Sequence, residues 1–125
     1  MTKILIVEDS MIVSFHIKIL LESNGYEVVA CLTRAEDVEE TINLFAPEII
    51  LMDVMLDGPM SGIESAIMLR KKNKVPIIFM SALSDVDSLN AIEEIKNTYQ
   101  LGKPFDDEEL LQAIRNANQV LSIPK

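Results

Sequence analysis

The 125-residue sequence has one cysteine, one histidine and no apolar run of membrane-spanning length. With Cys31 alone no intrachain disulfide can form, and a thiol inside the apolar run Val28 to Leu32 is expected to be buried packing in a reducing compartment. His16, the sole histidine, lies beside Val13, Ile17 and Leu20, so an inward packing position is expected rather than a ligand or catalytic role. The opening run Ile4 to Val7 stops at Glu8, too short for the apolar region of a signal peptide, and a cytoplasmic location is expected. Cations are also scarce: 11 Lys and Arg face 20 Asp and Glu, a net charge of −9. An acidic body of this kind argues against binding nucleic acid or an anionic membrane, both polyanions. Repeats, low-complexity tracts and linkers are absent too.

What is present is an ordinary globular composition, 49% hydrophobic and 25% charged, of a length that suits one core. A single domain over residues 1–125, with no separate output domain, is the expectation. Ile4 to Val7 reads as a strand, and Met11 to Glu22 as a helix with Val13, Ile17, Leu20 and Leu21 inward, stopped by Asn24-Gly25. Tyr26 to Leu32 reads as a second strand, followed by a helix facing inward through Ala35, Val38, Ile42 and Phe45 and closed by Pro47. The apolar run ending at Asp53 is a buried third strand, and Ile63, Ala66, Ile67 and Arg70 mark the third helix. Val75 to Met80 is a fourth strand. Asp85 to Lys96 is a helix whose apolar residues Val86, Leu89, Ile92 and Ile95 form a narrow, drifting stripe, so it is expected to be the least securely packed. Thr98 to Leu101 is a short fifth strand, Gly102 to Pro104 a turn, and Asp106 to Leu121 a last helix facing inward through Leu110, Ala113, Ile114, Ala117, Val120 and Leu121.

Strict strand-helix alternation predicts an α/β fold, a doubly wound five-stranded parallel sheet with right-handed crossovers. The polar residues that interrupt the apolar runs all fall at strand carboxyl ends: Glu8 and Asp9, then Asp53, Ser81 and Lys103. If the strand order is 2-1-3-4-5, these ends share one edge and the crevice at the switch point lies between Asp9 and Asp53. Three carboxylates so placed repel one another unless protons or a cation join them, and Mg²⁺ suits hard oxygen ligands with room left for phosphate oxygens. A carboxylate can attack phosphorus and hold an acyl phosphate, while an ammonium and a hydroxyl neutralise and orient the other oxygens.

On these marks the chain resembles a response-regulator receiver domain of two-component signalling: Glu8-Asp9, Asp53, Ser81-Ala82 and Lys103-Pro104-Phe105, in order and on the matching elements. The resemblance covers essentially the whole sequence and implies the flavodoxin-like (βα)5 fold. It implies Asp53 as phosphoacceptor from a histidine kinase or phosphotransfer protein, with Ser81 and Lys103 on the phosphoryl group. Mg²⁺ would be held by Glu8, Asp9, Asp53 and the backbone carbonyl of Met55, and the Lys103-Pro104 bond would be cis. Two departures stand out. Gln100 occupies the place where the family usually has a switching aromatic, and the loop from Asp53 to Gly62 is one residue longer than is common. Free-standing regulator, relay intermediate and amino-terminal receiver cut from a longer protein all fit the sequence, and a homodimer remains open.

Met11, Ser14, Phe15 and Lys18 are expected on the outer side of the first helix, near the acidic site, as a docking face for the partner that carries the donor histidine. The run Asp106 to Glu109 reads as acids complementing a helix dipole rather than as a second site. A Mg²⁺-dependent phosphatase would want a second acid two residues after Asp53, where Met55 stands. A flavodoxin-like electron carrier would find Glu8-Asp9 repelling its flavin phosphate.

Overall fold

The computed structural model describes residues 1–56 and 58–122, with side chains through 119. Five strands, β1 (Lys3–Val7), β2 (Glu27–Leu32), β3 (Ile49–Asp53), β4 (Ile77–Ala82) and β5 (Thr98–Lys103), form one parallel sheet in the order β2-β1-β3-β4-β5. The helices between them are α1 (Met11–Ser23), α2 (Val38–Phe45), α3 (Gly62–Arg70), α4 (Val86–Glu93) and α5 (Asp107–Ser122), with a short 3-10 turn, Ala35–Asp37, ahead of α2.

Alternation along the central strands divides the core between the two sheet faces. Ile4, Ile6, Ile49, Leu51, Ile78 and Met80 pack with Ile17 and Leu21 of α1 and with Leu110, Ile114 and Ala117 of α5. Leu5, Val7, Ile50, Met52, Ile77 and Phe79 pack on the other side with Val38, Ala66, Leu69 and Ile92 of α2, α3 and α4. β3 is buried at all five positions, Asp53 included, so the only carboxylate in that strand ends it at the sheet edge.

Local chemistry sets the helix ends. Ser10 caps α1 by accepting from the Val13 N–H, and Gly25 leaves that helix at φ +88°, the left-handed conformation glycine adopts without strain. A capping box of Ser61 and Glu64 starts α3. Asp106 and Glu109 make the same reciprocal pair at the start of α5, so the acidic run there closes a helix end.

Several expected positions are corrected. In α1 the buried residues are Ser14, Ile17 and Leu21; Val13 is exposed, and His16 lies at the surface beside Asp107 of α5, 3.1 Å away. Ser14 therefore belongs to the inner face and not to an outer docking face. Phe45 ends α2 exposed, where Ala46 turns left-handed before Pro47, and Ile67 is exposed on α3 while Ser65 and Leu69 are buried. β5 continues through Gly102 and Lys103, which pair with Ser81 and Ala82 of β4 rather than turning. The side chains of Val120 and Leu121 lie outside the described residues.

Candidate functional site

The ends of β1, β3, β4 and β5 lie along one edge because parallel strands share direction. β1 closes with the Glu8 N–H donating to the Leu32 carbonyl, which seats the Glu8 side chain in the sheet (3% exposed) and leaves Asp9 in solvent. Carboxylate oxygens of Glu8, Asp9 and Asp53 all lie within 4.8 Å of one another. Asp53 Oδ1 accepts from the Met55 N–H at 3.0 Å, and its Oδ2 accepts from Lys103 Nζ at 2.6 Å. The Lys103-Pro104 bond is cis, as expected.

One ammonium does not balance three carboxylates. Burial of Glu8, contact with the Asp9 carboxyl and the Asp53 charge push the Glu8 pKa from 4.5 up to about 7, against the opposing Ser10 N–H bond and Lys103. This donor set, hard oxygens crowded at a partly solvated edge, fits a divalent cation of the Mg²⁺ kind. Ser81, the residue of β4 one place beyond the partner of Asp53, is 2% exposed and its Oγ has no hydrogen-bond partner. A buried hydroxyl without a partner costs free energy unless something supplies an acceptor or donor.

The strand-end residues singled out from sequence, Glu8, Asp9, Asp53, Ser81 and Lys103, thus share this edge, and Met55, 72% exposed, follows β3. Of the expected docking residues, Met11 and Phe15 are exposed and Lys18 is half-buried; Ile12 and Ile19 extend the apolar outer face of α1. A cleft of about 690 Å³ separates α1 from the start of α5, walled by Ile12, Val13, His16, Phe105 and Leu110 and reaching Glu8 and Lys103. Sequence reasoning missed Gly62. A Cβ there would stand 2.3 Å from the Asp53 carbonyl oxygen, so only glycine lets α3 start this close to the site strand. The glycine in the loop after Asp53 was the available signal.

A doubly wound parallel sheet of order 2-1-3-4-5, with an acid-lined crevice at its switch point, defines a flavodoxin-like α/β protein. Comparison with known proteins narrows the class: a family model described as a response regulator receiver domain matches residues 4–115. The transcriptional regulatory protein YvrH of Bacillus subtilis is 34% identical over 113 residues, covering 90% of this chain and 47% of YvrH. CpxR of Shigella flexneri, another transcriptional regulatory protein, is 34% identical over 118 residues, covering 92% of this chain and 48% of CpxR. The signal receiver domain of a modulated diguanylate cyclase from Desulfovibrio desulfuricans superposes with a TM-score of 0.84 at 30% identity, covering 94% of each chain. The chain belongs to the response regulator receiver domains of two-component systems. It spans about half the length of these curated relatives. None of its described helices is long and apolar enough to cross a membrane.

Proposed function

We propose that this domain is a phosphoryl acceptor in two-component signalling, with Asp53 taking the group from a phosphohistidine of a histidine kinase or phosphotransfer protein. The observation that carries the reading is the Asp53 carboxylate itself: buried, fixed at one oxygen by the Met55 N–H and at the other by Lys103, and bordered by two further acids. In the transfer a carboxylate oxygen of Asp53 forms the new O–P bond as the P–N bond breaks, and the electron pair leaves with the donor imidazole nitrogen. The step needs no proton removed from the nucleophile. Lys103 follows the charge from the carboxylate onto the phosphoryl oxygens, and the Ser81 hydroxyl donates to one of them, ending its unpartnered state.

Glu8, Asp9, Asp53 and the Met55 carbonyl would hold Mg²⁺, which when bound neutralises the incoming phosphoryl oxygens. Asp53 keeps its place through the strand and the Met55 N–H, so the geometry for attack does not wait on a conformational change. The product is a signal rather than a turnover intermediate, because Met55 stands where a phosphatase would need an acid to activate water. Met11, Phe15 and Lys18 stand on α1, the helix whose Ile12, Val13 and His16 line the cleft that reaches Lys103, and with Ile12 they would form the face on which a helical donor docks.

Intact mass after incubation with Mg²⁺ and acetyl phosphate tests the acceptor. Wild type is expected to gain one base-labile phosphoryl group and Asp53→Asn none. A phosphoryl group gained equally by both would move the acceptor to another residue.

A further inference from the structure

The loop between β3 and α3 carries Met55, whose N–H donates to Asp53 Oδ1, and the outer part of the loop is held by a different segment. Glu36, in the 3-10 turn ahead of α2, accepts at Oε1 from the Met60 N–H at 3.2 Å, while its Oε2 accepts from Arg34 Nε at 2.8 Å. The guanidinium–carboxylate pair also fills the space where Gly58 has no side chain. A Cβ on Gly58 would stand 3.0 Å from Arg34 Nε and 3.0 Å from Glu36 Oε2, and φ there is +91°. The turn that carries Glu36 is itself anchored, because Ala35 and Val38 on either side of it are buried. At the near end the Gly62 N–H donates to the Val54 carbonyl at 3.1 Å.

From this arrangement we infer that Arg34 and Glu36 are positioning residues for the site: they clamp the β3–α3 loop so that the Met55 carbonyl is already in place for the metal. The inference rests on the metal-site reading proposed above. A loop of this length left free would be ordered only on binding, and affinity would fall by the cost of that ordering. Residues 58 and 60 are held from outside and residue 62 from inside, so these positions have little freedom left to lose.

Isothermal titration with MgCl₂, on wild type, Glu36→Ala, Glu36→Gln, Arg34→Ala and Glu39→Ala, tests the clamp. Glu39→Ala is the control. It removes the same charge from the neighbouring α2, where the partner is Lys72 and not the loop. Glu36→Ala and Arg34→Ala are expected to raise the Mg²⁺ dissociation constant about 3- to 10-fold. Glu36→Gln, which still offers Met60 an acceptor, is expected to recover part of the loss. Glu39→Ala should stay close to wild type, and thermal unfolding of the metal-free variants should be unchanged. The rate of phosphorylation at saturating Mg²⁺ is expected to be retained, since the clamp acts on metal occupancy and not on Asp53. Equal affinities for Glu36→Ala and Glu39→Ala would overturn the clamp. Absence of any Mg²⁺ binding by the wild type would overturn the metal-site reading and the clamp with it, and the wild type alone would reveal that failure.

Discussion

At the scale of the residue, Glu8 shows what the site does to its own parts. Its carboxyl ionises near 4.5 in the unfolded chain and about 7 in the folded one, because burial and two acidic neighbours oppose the charge. Between those values the unfolded state binds fewer protons than the native state, so the stability that Glu8 contributes is full below pH 4.5 and is lost as pH rises through 7. In chelator, the stability of wild type relative to Glu8→Gln is expected to fall over this window by roughly 1.4 kcal/mol per pH unit at its steepest. Denaturant titrations at several pH values measure it, and parallel curves for the two proteins would count against the shift. Adding Mg²⁺ is expected to flatten the wild-type curve, since a bound cation favours the ionised form.

At the scale of the element, α4 is the loosest helix. Ile92 is its one buried residue, Val86 is 58% exposed, and Ile95 falls beyond its last turn. By contrast, α5 buries Leu110, Leu111, Ile114 and Ala117 among its described side chains. Amides of α4 are expected to exchange at least about 10-fold faster than those of α5, and to slow on phosphorylation as the segment after Ser81 is drawn to the phosphate. Identical exchange of α4 in both states would remove it as the moving part. Its sparse apolar stripe was legible in sequence, as were the five strands and the five polar residues at their ends, because an abrupt change from apolar to polar is a strong local signal. The strand order was a supposition that the family resemblance supplied and the structure bears out. The phase of α1 was not legible. Met11, Ile12, Val13, Phe15, Ile17, Ile19, Leu20 and Leu21 put apolar side chains on every side of that helix, so periodicity alone cannot choose a face. The structure buries the small hydroxyl of Ser14 with Ile17 and Leu21 and leaves Ile12 and Phe15 outside. The Arg34–Glu36 contact to the loop was equally hidden, since no sequence pattern marks a side chain that reaches a backbone 24 residues away.

At the scale of the whole molecule, an acidic body offers an apolar face beside its reactive edge. Phe15 is 63% exposed there, Met11 65% and Ile12 85%. Surface this apolar is retained at a cost in solubility and suits an interface core, where aromatic anchors dominate. Phe15→Ala is expected to slow transfer from a phosphohistidine-bearing kinase domain by roughly 5- to 30-fold. Phosphorylation by acetyl phosphate, which needs no docking, should be unchanged. Equal loss with both donors would place Phe15 in the site rather than in the interface. The ion pair that completes the site joins residues 50 apart in sequence. Glu8 and Asp9 follow β1, Asp53 ends β3 and Lys103 ends β5, so one strand pairing gathers the acids and two others, β3 with β4 and β4 with β5, bring their ammonium. An outer strand of the sheet therefore carries the charge that relieves the repulsion at its centre, and loss of the β5 pairing would leave the three carboxylates to a bound cation or to protons.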